Sequence, residues 1–274
     1  MRLNKNTKIF LNYFLGPALF IWLSWSVYRQ IKQQPNLSDS WANIKASLYS
    51  SKIFYLLGVF LLMFINWWFE ALKWKWAVAT LQKISLGKAY KAILSGVSFS
   101  VSTPNRIGEY LGRILYMDEN SRLKAIALTI VCSISQLIIT LLCGLIGILI
   151  LKDKIIGSSF GNSFHSDLWI EVLMYGVGVA ATILTVFYFR VSVFSSLLDK
   201  FRNGRYSFLS GGLRQVNATL LLKLLSLSAA RFFVFILQYF FVFRLFNVQV
   251  DWVNSFAAVS VIFLVLAIIP SFAI

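Results

Sequence analysis

Six apolar runs dominate this chain, near residues 9–28, 53–69, 125–150, 168–189, 219–243 and 252–269, and a shorter, interrupted run covers 92–117. The hydrocarbon core of a bilayer is about 30 Å thick, which takes roughly 20 consecutive apolar residues to cross as a helix. Within that core the backbone must satisfy its own hydrogen bonds, so only helices or a closed barrel can span it. Uninterrupted runs of this length select helices. The expectation is an all-α polytopic membrane protein with about six spanning helices, forming a single transmembrane domain over residues 1–274. Composition agrees, since 13% of the 274 residues are charged, against roughly 25% in soluble domains. That excludes an ordinary soluble enzyme.

Twenty-six Lys and Arg against ten Asp and Glu give a net charge of +16. In so apolar a chain this balance points to cytoplasmic loops and anionic lipid headgroups, and not to nucleic acid. Loops 70–91 and 190–223 carry +4 and +5 and are expected inside, whereas 152–171 and 244–251 carry −1 and zero and are expected outside. Arg2, Lys5 and Lys8 put the N-terminus in the cytoplasm. The run that follows them has no small-residue cleavage site and reads as a retained anchor in the cell (inner) membrane. Residues 29–52 carry +3 although this scheme places them outside, and the part from Asp39 to Ser50 reads as a short interfacial helix. Trp22, Trp25, Trp67, Trp68, Trp74, Trp76, Trp169 and Trp252 fall near run ends, where indole rings favour the headgroup level.

Little material exists for metal or nucleophilic chemistry. Cys132 and Cys143 lie eleven residues apart on one expected helix, too far for a bridge. His165 is the only histidine and reads as a solvated outer-loop residue, so neither a His-based metal site nor a Ser/His/Asp triad is expected. No catalytic residue, cofactor or metal ligand is assigned, and no nucleotide-binding loop is present.

Loop parity makes the interrupted run informative. If 70–91 is inside and the 125–150 helix also starts inside, residues 92–117 must enter from the cytoplasm and return to it. That is a re-entrant hairpin, with its turn at Ser102-Thr103-Pro104-Asn105. A single Pro-kinked spanning helix is the alternative. Residues 259–270 also end in a proline, as 93–104 do, so a second hairpin is expected to start within 252–274, with its tip at Pro270 and Ser271. Opposed entry of two such segments suggests an inverted repeat framing a midplane site. The chain stops four residues after Pro270; the domain reads as truncated there, either naturally short or a fragment.

The expected site lies on the returning limb, from about Pro104 to Met117. Thr103-Pro104 is a strong helix start, and a helix N-terminus attracts anions. Arg106 adds a planar grip suited to phosphate. Asn105 belongs to the same turn. Glu109 lies three residues after Arg106 and four before Arg113, so these charges share one helix face. Gly108 and Gly112 form a small-xxx-small pair that permits close approach of a helix or a lipid. Together, Thr103, Pro104, Asn105, Arg106, Gly108, Glu109 and Arg113 are the candidate headgroup-binding set, with a solvated cytoplasmic loop as the alternative.

Supporting polar residues lie elsewhere. Asn66, Glu70 and Lys73 are helical neighbours at the end of the second run, and Glu70, alone in a basic segment, is a candidate partner for Arg106 or Arg113. Lys75 and Trp76 fit a snorkelling belt equally well. Arg231 is the one charge deep inside an expected span, near Ser226, Ser228 and Gln238, and such charges usually face a bundle interior or a wet cavity. Gln136 reads as interhelical glue. Gly144 with Gly147, and Gly176 with Gly178, read as packing positions.

The pattern INWWFEALKWKW at 65–76 followed by GVSFSVSTPNRIGEYLGRILYM at 96–117 resembles the lysylphosphatidylglycerol synthase transmembrane-region family, also described as flippase-like membrane proteins. The specific part is the TPxxxGE segment from Thr103 to Glu109, with Arg113 after it. In bacterial lysyl-lipid synthases this region translocates aminoacylated phosphatidylglycerol, and a separate cytosolic domain makes the lipid. That transferase domain is absent from this sequence, so the resemblance implies translocation and not synthesis. The expected function is a flippase for an anionic phospholipid, an aminoacylated phospholipid or a polyprenyl-phosphate-linked lipid, partnered by membrane lipids and by a separate lipid-modifying enzyme. The alternatives are an integral transferase acting through Glu70 or Glu109 and a non-transporting scaffold.

Overall fold

In the computed structural model, the described residues are 16–33, 37–101, 107–156, 164–191, 212–213 and 216–268. Every element among them is a helix: α1 (Gly16–Lys32), α2 (Leu37–Leu48), α3 (Ile53–Val78), α4 (Leu86–Val101), α5 (Ile107–Ile114), α6 (Glu119–Ile156), α7 (Phe164–Phe189), α8 (Ala218–Leu245) and α9 (Trp252–Ile268). Four are long and apolar enough to cross a membrane, namely α3, α6, α7 and α8, and α9 is a shorter apolar helix of 17 residues. The all-α polytopic architecture is therefore confirmed, and the chain is an integral multi-pass membrane protein. The first run appears as α1, 17 residues in its described part.

The chain divides into two compact units, residues 1–54 and 55–274. In the first, the short helix expected over Asp39–Ser50 is present as α2. Asp39 lies in its first turn and Lys45 in its last, which suits the helix dipole. Lys45 also stands 5.7 Å over the Trp41 ring.

In the second unit, α3 and α8 run antiparallel, with contacts stepping from one end to the other. Tyr55 packs edge-on against Phe241 at 5.7 Å, Gln238 donates to the Val59 carbonyl at 3.2 Å, and Lys223 lies 5.9 Å over the Trp76 ring. Gln238 is thus interhelical glue at some distance along α8 from the charged residues. Trp74, expected at the headgroup level, is wholly buried. Its indole N–H reaches the Thr129 hydroxyl on α6 at 3.3 Å, which removes the reason for the ring to seek water.

The interrupted run forms a hairpin of two short helices. The Asp118 amide, just after α5, donates to Gln82 Oε1, just before α4, at 3.1 Å, so the hairpin comes back to the end where it began. Contact between its limbs is permitted by glycine: a Cβ on Gly112 would stand 2.5 Å from Gly96 Cα. The first limb starts at Leu86, earlier than the run at 92 suggested, and residues 102–106, including Thr103, Pro104, Asn105 and Arg106, lie outside the described residues.

At the opposite end of α6, Lys154 Nζ donates to Asn254 Oδ1 at 2.6 Å. From there α9 runs antiparallel along α6, with Gly144 and Gly147 lying under Leu264 and Ala257. These two glycines are packing positions, as expected. Gly176 is not, because a Cβ there would meet nothing within 4 Å. Thus α4 starts at the Glu119 end of α6 and α9 at its Ile156 end. Pro270 and Ser271 lie outside the described residues.

Candidate functional site

The centre of the second unit is a charged cluster built from four helices. Arg231 occupies the middle of the 28-residue α8, about 20 Å from either end at 1.5 Å per residue. Asn66 is at the middle of the 26-residue α3, and Glu70 follows one turn later. Arg231 Nε donates to Asn66 Oδ1 at 3.1 Å, and its Nη1 pairs with Glu70 Oε2. Helix α3 adds Lys73, whose ammonium reaches the same Glu70 oxygen at 2.9 Å. From α5, Arg113 Nη2 pairs with Glu70 Oε1 at 2.8 Å and also with Glu109 Oε1. Three cations therefore surround two carboxylates, leaving one positive charge in excess.

These cations are not equivalent. Lys73 has three acceptors on three helices: Glu70, the Cys132 carbonyl of α6 at 3.3 Å and the Ser228 hydroxyl of α8 at 3.3 Å. Ser228 in turn shares a 2.8 Å bond with Ser135, which donates to the Cys132 carbonyl at 2.7 Å. An ammonium has three N–H donors, so Lys73 is saturated and staples α3, α6 and α8 together. Arg113 is different. It is 2% exposed, yet its Nε and Nη1 have no hydrogen-bond partner among the described residues, and neither does Asn66 Nδ2. Orphan groups of this kind are uncommon in protein interiors. Every unpartnered atom of the cluster is a donor, so the group can bond only to an acceptor.

Much of the sequence-derived site converges here. Asn66, Glu70, Lys73, Glu109, Arg113 and Arg231 form one network, and Glu70 does partner Arg113. Arg231, expected as a deep charge facing a bundle interior or a wet cavity, joins Arg113 on the same carboxylate. Gly108 is buried and Gly112 rests on Gly96, so the glycine pair serves the hairpin contact. Gln136 and Gln238 make no described bond to the network; the Gln136 Oε1 atom is buried with no hydrogen-bond partner among the described residues. The sequence reading named Ser228 beside Arg231 but missed Ser135, whose only signal was a small polar residue in an apolar run. Among the described residues no cluster of His, Cys, Asp and Glu could hold a metal.

The fold and the cluster together define a multi-pass helical membrane protein with a buried, donor-rich group of cations among its helices. The chain belongs to the family described as the lysylphosphatidylglycerol synthase TM region, whose model matches residues 13–273. Membership gives it a membrane lipid-related role. No curated protein and no solved structure matches the chain.

Proposed function

We propose that this protein is a lipid translocase that moves a lipid with an anionic headgroup between leaflets, passing the headgroup along the Arg113–Glu70–Arg231 cluster. The observation that carries the reading is the excess positive charge with unpartnered donors at mid-length of the spanning helices. A charge at such depth is costly unless it faces a partner or a wet cavity. A headgroup crossing the bilayer needs such a station, because its phosphate is otherwise stranded in hydrocarbon. The anionic phospholipid, aminoacylated phospholipid and polyprenyl-phosphate classes all present this phosphate.

In this reading α4 and α5 form a re-entrant hairpin, and α9 enters from the other face as the first limb of its inverted counterpart. The Gln82–Asp118 tie and the contact of Arg113 with mid-length α3 support the first. The start of α9 beside Lys154 supports the second. Loop charges favour a cytoplasmic N-terminus in the cell membrane. Arg106, outside the described residues, is carried from the sequence as a second phosphate ligand, and a separate lipid-modifying enzyme would supply the substrate. A transferase acting through Glu70 fares worse, because both Glu70 oxygens are occupied by cations and neither is placed to accept a substrate proton.

The test is leaflet exchange of a labelled phosphatidylglycerol in vesicles containing the purified protein. Wild type is expected to accelerate exchange, and Arg113→Gln to abolish the acceleration. Exchange at the protein-free rate with folded wild type would overturn the proposal.

A further inference from the structure

Both carboxylates of the cluster converge on one nitrogen. Glu70 Oε1 and Glu109 Oε1 each pair with Nη2 of Arg113, whereas Nε and Nη1 have no described partner. A guanidinium offers two bidentate edges, Nε with Nη2 and Nη1 with Nη2, and Nη2 belongs to both. An incoming phosphate can take a single bond from Nη1 or Nε as matters stand. For a bidentate grip, one carboxylate must release Nη2.

The surroundings decide which one. The side chain of Glu70 is 7% exposed and bound by three cations, while that of Glu109 is 24% exposed and has Arg113 as its one described ionic partner. Glu109 also sits four residues before Arg113 on the same short helix, and its carboxylate is the more exposed of the two. Glu70 is tied in place by Lys73 and Arg231 as well as by Arg113, whereas Glu109 has no such second described ionic tie.

We propose that Glu109 is an internal occupant of the anion site on Arg113, which a headgroup phosphate displaces, so that Glu109 sets the charge of lipid the site accepts. This rests on the translocase reading and narrows it. The displaced carboxylate stays on the same short helix beside the site, so its charge still counts: with it the cluster has one positive charge in excess and is matched by a singly charged phosphodiester. Without it the excess is two, and the match moves toward a phosphomonoester. The residue acts as a resident competitor, keeping Arg113 paired at mid-depth when no lipid is bound.

The experiment is native mass spectrometry of the full chain in mild detergent, titrated separately with phosphatidylglycerol and phosphatidic acid. Glu109→Gln is expected to bind both lipids more tightly, by roughly tenfold for removal of a competing charged hydrogen bond, with the larger gain for phosphatidic acid. Arg113→Lys, which keeps the charge and loses the planar edge, is expected to weaken both, and it stands in if Arg113→Gln does not fold. Unchanged or weaker binding by Glu109→Gln, alongside loss in the Arg113 variants, would overturn the competitor role while leaving the headgroup site intact. Wild-type binding by both Arg113→Lys and Arg113→Gln would place the lipid elsewhere and remove the site itself.

Discussion

Gly112 lies on Gly96 so closely that a methyl group at position 112 would stand 2.5 Å from both the Cα and the nitrogen of its neighbour. Those atoms are backbone, so they cannot swing aside as a side chain end could. The contact fixes how far α5 lies from α4, and through α5 it positions Arg113 and Glu109. Gly112→Ala is expected to force the limbs apart and lower stability by about 1–3 kcal/mol, the usual scale for overpacking. Gly176→Ala on α7, where nothing lies within 4 Å, is expected to be neutral or slightly stabilising. Thermal unfolding of both variants in the same detergent checks the pair, and equal shifts would contradict the contact.

Glu70 is the shared counter-ion for Lys73, Arg113 and Arg231. Removing one partner of a buried ionic network leaves uncompensated charge, at a cost of about 3–5 kcal/mol. Glu70→Gln is expected to destabilise on that scale, and adding Lys73→Met should recover part of the loss by removing one of the stranded cations. The Lys152–Glu171 pair, with side chains 30% and 46% exposed, should contribute at most about 1 kcal/mol. Lys152→Met is therefore the control. Chemical denaturation of the three variants measures the contrast.

The legible part of this fold was what apolar length and charge sign determine. Spans α3, α6, α7 and α8, the short helix α2 and the pairing of Glu70 with Arg113 all followed from runs of residues and from a lone acid in a basic segment. What stayed hidden depends on which residues meet across helices. Arg231 and Glu70 are 161 residues apart, and nothing local says that α8 brings them together. Trp74 looked like a belt residue because it sits near a run end, yet the Thr129 hydroxyl on α6 draws it inside, and nothing local says that the Cys132 carbonyl on the same helix receives Lys73. Gly96 stood within the motif that carried the resemblance, but its partner Gly112 shows only once the hairpin is folded. Gly176 errs the other way, since a glycine in a span need not mark a contact.

Asp251 caps α9 and has a defined pH range. The Asn254 side-chain amide donates to its Oδ1, and the Asn254 backbone N–H reaches Oδ2 at 3.3 Å. The side-chain bond from Asn254, with its backbone bond, holds the Asp251 carboxyl below the usual carboxylate range. A depressed value means that the cap stabilises the helix above the ordinary carboxylate pKa and is lost as pH falls through the lower, folded one. Amide exchange at Asn254, corrected for intrinsic rate, should keep constant protection from about pH 5 upward and lose it below about pH 4. Asp251→Asn caps nearly as well without a charge, so its protection should not fall with acid. A parallel fall in both would assign the effect to another group.

The hairpin makes a prediction about sides. Lys83 and Asn120 are exposed positions flanking α4 and α5, and the Gln82–Asp118 bond places them at the same end of the bundle. Val248, 44% exposed, follows α8 at the end away from the Lys223–Trp76 contact. With Cys132 and Cys143 replaced by alanine, single cysteines at 83, 120 and 248 can be labelled by an impermeant maleimide on sealed vesicles of known orientation. Positions 83 and 120 should react from one face and 248 from the other. If 83 and 120 react from opposite faces, residues 86–114 cross the bilayer as one kinked span. Arg113 would then approach Glu70 from a helix that cannot return, and the re-entrant reading would fall while the ion pair itself stood.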